Sequence, residues 1–245
     1  MKVSIILTFY NKQNCNRNTI YSILRQKTNF PFEVLIVNDN SPNDDFSYLS
    51  KIKKPLNITL KYKKNETNMG SNFGHQTALG MMDDDVDIIV TQSSDVLYAT
   101  EYTLQKLVDG VDDNHYTSGA VANMKIDTNL WKNMENELPK IVDKMWPKME
   151  NPKTKYMYTS SKNPRLYWFL AAIKKDHLFK YFTWRENACD VKTKEELIKL
   201  NKDGKLFVRW IDDAMAIHQK HPQVIHPCPI VDVCKFKCPR KRDKK

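Results

Sequence analysis

A chain of 245 residues with 41% hydrophobic and 11% aromatic residues has room for one large α/β domain and can bury a sizeable core, which excludes a disordered chain. The net charge is +10, but the last twelve residues, CKFKCPRKRDKK (234–245), hold seven basic residues and one acid, and so six of those ten charges. The body is only mildly basic and need not meet a polyanion; the tail alone can hold an anionic surface.

No apolar run reaches the ~18 residues of a membrane span, and no signal-peptide pattern opens the chain. The reading is a cytoplasmic protein, peripheral to a membrane where the tail engages one. The five cysteines, at 15, 189, 228, 234 and 238, are an odd number. They read as free thiols in a reduced compartment rather than a stapled fold. Cys228, Cys234 and Cys238 with His226 leave a small zinc module open, though their spacing lacks the usual C-x2-C.

In chain order, VSIIL (3–7) is apolar on consecutive positions, as a strand covered on both faces would be. Asn11 to Asn18 is polar; Ile20, Ile23 and Leu24 then give helical spacing. EVLIV (33–37) is a second buried strand. Ser41-Pro42 offers a cap and first helical position, with Phe46, Leu49 and Ile52 on the helix face. ITLKY (58–62) alternates like a more exposed strand. In 68–82, Phe73, Thr77, Ala78, Met81 and Met82 can share a helix face. DIIVT (87–91) is a third buried strand, and a helix over 100–109 follows with Thr100 as cap.

Strand and helix thus alternate with short connections, which predicts a parallel sheet. Further on, GAVANM (119–124) and YWFLAAI (167–173) read as strands. Residues 129–165 read as loops with a short helix, and 175–182 as a helix. Thr193 to Leu200 reads as another, capped by Thr193. LFVRW (206–210) reads as a strand leading into DDAMAIHQKH, a helix opening on two acids. No internal repeat or linker divides the chain.

A parallel sheet suggests a nucleotide, yet no G-x-G-x-x-G or P-loop is present, and no glycine precedes residue 70. A divalent cation on carboxylate oxygens is the alternative means of holding phosphates. Asp39 and Asp95 follow strands and would share one edge of a parallel sheet. Asp212 and Asp213 open the last predicted helix. Each has a plainer reading as a turn or cap residue; their common placement carries the sharper one.

The segment VSIILTFYNKQNCNRNTIYSILRQKTNFPFEVLIVNDNSPNDD resembles the start of a family 2 glycosyltransferase with the GT-A fold. It has a strand, T-x-Y-N, a helix with S-I-x-x-Q, then E-V-L-I-V-N-D-N-S. NMGSNFGHQTALGMM, IKKDHLFKYF and RWIDDAMAIHQKH are similar to later segments of the family. The resemblance covers residues 2–110 well and 167–226 loosely. It implies a single α/β domain with an open, mixed, mainly parallel sheet flanked by helices. Residues 1–110 would be the nucleotide-sugar half, 111–233 the acceptor-binding and catalytic half, and 234–245 a basic tail.

The resemblance also implies roles. Thr8, Tyr10, Asn11 and Asp39 would line the base and ribose; Asn68, Gly70, His75, Ser94 and Asp95 would complete the nucleotide-sugar site. QSSD (92–95) stands where the family has D-x-D-D, so Gln92 and Ser94 replace acids and Asp95 alone remains to hold Mn2+ or Mg2+. His226 is the preferred second metal ligand, with His218 and His221 as alternatives on the predicted last helix. Lys12, His75 and Arg209 could share the counter-charge for the leaving diphosphate. Asp213, or Asp212, would be the base in an inverting transfer to a glycan or glycoprotein hydroxyl. Trp210, Trp168 and Trp184 are candidate sugar platforms. A catalytically weak glycan- or nucleotide-sugar-binding protein of the same fold is the alternative. A sugar nucleotidyltransferase is disfavoured by TFYNKQN after the first strand, and no dedicated nucleic-acid partner is expected.

Overall fold

Alternation along the first strand shows how this sequence builds its sheet. In β1 (Val3–Phe9), Val3, Ile5, Leu7 and Phe9 enter one core and Ile6 the other, all fully buried. A strand covered on both faces needs such a run. The computed structural model describes residues 1–11, 13–42, 45–149, 170–182 and 190–219. The elements that follow β1 are α1 (Gln13–Leu24), β2 (Phe32–Asn38), β3 (Ile58–Lys64), α2 (Ser71–Leu79), β4 (Ile88–Gln92), β5 (Val96–Tyr98) and α3 (Thr103–Asp109). Then come β6 (His115–Met124), α4 (Met134–Met149), β7 (Leu170–Lys174), α5 (Lys175–Tyr181), α6 (Asp190–Lys202) and β8 (Phe207–Gln219).

One eight-stranded mixed sheet runs through both halves of the chain, in the order β3-β2-β1-β4-β7-β6-β8-β5. The first four strands are parallel. β7 is antiparallel to β4 and β6, β8 is parallel to β6, and β5 is antiparallel to β8. The resemblance implied this α/β architecture. α1 and α3 cover one face through Ile20, Ile23, Leu104 and Leu107. α2, α5 and α6 cover the other through Ala78, Leu178, Leu197 and Leu200. No helix among the described residues is long and apolar enough to cross a membrane.

The sheet turns a corner in β8. Gly119 pairs with Ile211 and Ala120 with Met215, so Asp212, Asp213 and Ala214 form a bulge. Gly119 is required there, since a Cβ would lie 2.5 Å from the Ala214 carbonyl oxygen. Beyond the bulge, β8 carries β5 at the sheet's far edge, although only residues 93–95 separate β5 from β4. A third core, of Leu97, Leu130, Met134, Leu138, Met215 and Ile217, seats α4 on this upper part.

Several expectations are corrected. DDAMAIHQ is strand, not helix: Ala214 to Ile217 are all buried between two covered faces, and Leu97 and Tyr98 pair with Ile217 and Ala216. No α-helix starts at Ser41, and only a 3₁₀ turn, Ser47–Ser50, follows β2. Ser41 is occupied: its Oγ accepts from Asn11 N (3.0 Å) and its N–H donates to Asn38 Oδ1 (2.8 Å). α3 begins at Thr103, so Thr100 is outside it. α6 begins at Asp190, which places the expected cap Thr193 inside it. The stretch read as loops contains the 16-residue α4, whose Pro139 is exposed.

Toward the opposite edge of the sheet, buried Glu33 accepts from Ser4 Oγ and Asp83 N and pairs with Lys61 Nζ at 2.7 Å. Lys61 and Lys2 both bind Asp83. The hydrogen bond from Lys2, then that from Lys61, holds the Asp83 carboxyl well below the usual carboxylate range. A carboxyl whose folded pKa is depressed adds stability above its unfolded value of ~3.9 and loses it as pH falls through the folded one. Stability measured by urea denaturation should therefore fall from pH 5 toward pH 2, with a shallower slope in Asp83→Asn. An unchanged slope would remove this network from the account.

Candidate functional site at the carboxyl edge of the sheet

The parallel strands β1, β2 and β4 all end at one edge, the place where open α/β sheets bind ligands. Two tight turns leave it, through Asn11 (φ 49°) and Asn40 (φ 57°), in the left-handed conformation asparagine tolerates best after glycine. Thr8, near the end of β1, packs under α2. A Cβ on Gly74 would lie 2.1 Å from Thr8 Cγ2, so only glycine lets the helix approach. The Thr8 hydroxyl is buried with no hydrogen-bond partner among the described residues, which leaves its capacity for a ligand.

Asp39, 1% exposed, organises the loop before α2. Its Oδ1 accepts from Asn65 Nδ2 (2.8 Å) and Met69 N (3.1 Å), and its Oδ2 from Gly70 N (2.7 Å). Asn68 Oδ1 also accepts from Gly70 N (3.0 Å), and Gly70 sits at φ 88°. Asp39, Asn68 and Gly70 are thus brought together, with Asn65 added. Asp39 is first the clasp of this loop; Oδ2 keeps acceptor capacity for a base edge.

The second cluster is the turn Ser93–Asp95 between β4 and β5. Gln92 Nε2 spans it to the Val96 carbonyl (2.6 Å). Thr19 Oγ1 donates to the Ser94 carbonyl (2.9 Å), and Gln219 N donates to the Asp95 carbonyl (2.8 Å). Asp95 is 5% exposed; Ser93 Oγ donates to its Oδ1 (2.6 Å), and His218 Nε2 lies 3.4 Å from the same oxygen. One carboxylate and one imidazole side by side fit a divalent cation as two of its ligands. Among the described residues no group of three or more His, Cys, Asp or Glu could hold one, so water and ligand oxygens must complete the shell.

Among the described residues, His218 is the histidine that stands beside Asp95. His226, His221, Lys12, Trp168, Trp184, three of the clustered cysteines and the tail lie outside the described residues. His218 was placed on a helix by its sequence; on β8 it stands opposite Val96. His75 is not a counter-charge, because burial pushes its imidazole down to about 4 and leaves it neutral at neutral pH. Arg209 is not one either: it lies near the start of β8, donating to Gly110 O and Asp112 at 2.8 Å each. Trp210 is half-buried opposite Ser118, short of the bulge. Asp212 and Asp213 are exposed in the bulge, and Asp213 pairs with Lys106 (2.9 Å). Asp213 precedes His218 by five residues, on the order of 15 Å along an extended strand. Tyr10 is half-buried at the end of β1, and Ser94 is buried in the turn. Sequence reasoning missed Asn65, Thr19 and Gln219, polar residues whose only signal is burial where apolar ones are expected.

Residues 4–182 match the family described as Glycosyl transferase family 2. An uncharacterized glycosyltransferase of Rickettsia felis is 33% identical over 128 residues, covering 51% of this chain and 20% of the relative. One from Rickettsia conorii is 36% identical over 106 residues, covering 42% and 16%. The chain thus spans about a fifth of the length of these curated relatives. A mannosyltransferase of Pyrobaculum calidifontis, solved in complex with GDP-Man and Mn2+, superposes with TM-score 0.60 at 17% identity, over 91% of this chain and 58% of that one. S. aureus TarS in complex with UDP-GlcNAc gives 0.57 at 15%, over 91% and 60%. These likenesses establish the fold.

The clasp makes a direct prediction. Asp39→Ala strands two donors, Asn65 Nδ2 and Met69 N, and leaves Gly70 N with Asn68 alone, which should reduce stability by about 1–3 kcal/mol and weaken nucleotide binding at least tenfold by calorimetry. A variant as stable as wild type with unaltered nucleotide affinity would contradict this assignment.

Proposed function

Since the chain belongs to glycosyl transferase family 2, we propose that it moves a sugar from a nucleoside-diphosphate sugar, with UDP as the reading for the nucleotide, to a hydroxyl of a glycan or glycoprotein acceptor. The observation that carries the reading is the meeting of two sites at one sheet edge. The Asp39 loop and Thr8 offer polar contacts for the nucleoside, and Asp95 with His218 offers a seat for a cation. The Pyrobaculum protein's GDP-Man and Mn2+, and the UDP-GlcNAc of TarS, support the substrate class.

Asp95 and His218 would hold the cation, and its oxygen-plus-nitrogen donor set favours Mn2+ over Mg2+. The cation supplies counter-charge for the diphosphate as it leaves. His75 is neutral and Arg209 is engaged elsewhere. Asp95 is kept still by Ser93, Thr19 and Gln219, so its carboxylate needs no rearrangement when a diphosphate arrives. Asp213 pairs with Lys106 and is not assigned as the base that takes the acceptor proton in an inverting transfer, which leaves Asp212, exposed in the same bulge, as the candidate.

A binding protein without appreciable turnover is the second reading. It is favoured by Gln92, which is fully buried and spends its amide on Val96 rather than offering a charge.

Incubation with labelled nucleotide sugars and Mn2+ tests both readings. Sugar release or transfer that falls at least a hundredfold in Asp95→Ala is expected; binding without turnover would move the protein to the second reading, and no binding would remove both. In the same assay Asp213→Asn should stay within threefold of wild type, and a loss comparable to that of Asp95→Ala would restore Asp213 as the base.

A further inference from the structure

Beneath the turn Ser93–Asp95 lies a buried polar chain that touches no candidate ligand atom. Asn18 and Thr19 on α1 are fully buried, and Gln219 at the end of β8 is 3% exposed. The side chain of Asn18 makes three hydrogen bonds. Its Nδ2 donates to the Asp127 carbonyl (2.8 Å) and to Gln219 Oε1 (3.0 Å), and its Oδ1 accepts from Trp131 N (2.8 Å). Gln219 Nε2 donates to Thr19 Oγ1 (3.1 Å), and Thr19 Oγ1 donates to the Ser94 carbonyl. The backbone of Gln219 holds the Asp95 carbonyl. Four segments distant in sequence, α1, 93–95, 127–131 and the end of β8, thus meet through one amide pair.

Buried amides are costly unless satisfied, and a satisfied network admits one arrangement where an apolar core would admit several. Both protons of the Asn18 amide and its oxygen are used, so a shift of 127–131 breaks a bond at Asn18 that also fixes Gln219. The held segment ends on Trp131, whose ring lies under the Arg17 guanidinium (4.9 Å) and beside Tyr21 (5.4 Å). The Arg17 group also covers Tyr48 (4.6 Å) and pairs with Asp45 (3.1 Å). Segment 127–131 lies within residues 111–233, the half that the family resemblance gives to the acceptor.

We propose that Asn18, acting through Gln219 and Thr19, is a positioning residue that locks segment 127–131 and the turn 93–95 into one register, so that the acceptor side and the cation-binding carboxylate are set together. This rests on the proposed function for its meaning in catalysis, but the mechanical link stands on the hydrogen bonds alone.

The link is tested in the ligand-free protein by hydrogen exchange. Asn18→Ala should speed exchange at least fivefold in both 127–132 and 93–97. Leu138→Ala, which loosens α4 on the third core that Leu97 shares without touching the relay, should speed exchange around 127–142 and leave the turn amides 93–95 within twofold of wild type. Should Asn18→Ala not fold, Gln219→Leu keeps the backbone bond to Asp95, cuts the amide link, and should give the same pattern. Unchanged exchange at 93–97 in the relay variants, or equal loosening of the turn amides 93–95 in Leu138→Ala, would overturn the proposal. In the UDP complex, Asn18→Ala should also weaken Mn2+ binding, read by paramagnetic resonance, at least fivefold, against less than twofold for Leu138→Ala. If wild type binds neither UDP nor Mn2+, the functional reading fails, while the exchange pattern still decides the link.

Discussion

The structure depends on how a three-residue turn is held. β4 lies in the middle of the sheet and β5 at its far edge, yet only Ser93, Ser94 and Asp95 join them. The chain can make that crossing because β8 bends at its bulge and returns to the turn from the other side. There the Gln219 amide takes the Asp95 carbonyl, while Thr19 takes that of Ser94. A buried carbonyl left without a donor would cost about 1–3 kcal/mol, so the two bonds fix the turn rather than merely decorate it. Once the turn is fixed, β5 must pair with the last residues of β8, and His218 arrives beside Asp95 as a consequence of register.

The same edge shows a division of labour. At this edge lies a closely bonded loop clasped by Asp39, with the buried Thr8 hydroxyl and a neutral His75 nearby in sequence order. The turn after β4 brings one carboxylate, Asp95, to one imidazole, His218. Of the basic groups named for the leaving diphosphate, His75 is kept neutral by burial and Arg209 is held in an ion pair at the opposite edge, while Lys12 lies outside the described residues. Gln92 and Ser94 add no charge to that of Asp95 in this turn.

The first half of the fold was legible because strands covered on both faces are written as unbroken apolar runs, and because TFYN and NDNS stand where a resemblance could be tested. The second half was less so. AMAI is apolar on four consecutive positions, a length at which helix and strand cannot be separated by periodicity, and two acids in front of it imitate a helix start. In the folded chain those acids are the solvent side of a bulge. The start of α1 showed no apolar face because Asn18 and Thr19 are buried against polar partners instead of apolar ones. Nor could any local pattern place His218 against Asp95, since that contact is set by strand pairing across more than a hundred residues. α4 was hidden by its lysines and prolines, with Pro139 on the solvent side.

The central claim, a cation seat shared by Asp95 and His218 at the mouth of a nucleotide site, is tested most directly by anomalous diffraction from crystals grown with UDP and Mn2+. The account predicts a single manganese peak within coordination distance of an Asp95 carboxylate oxygen and His218 Nε2, bridged to the diphosphate. A diphosphate bound at this edge with manganese on neither side chain would contradict it.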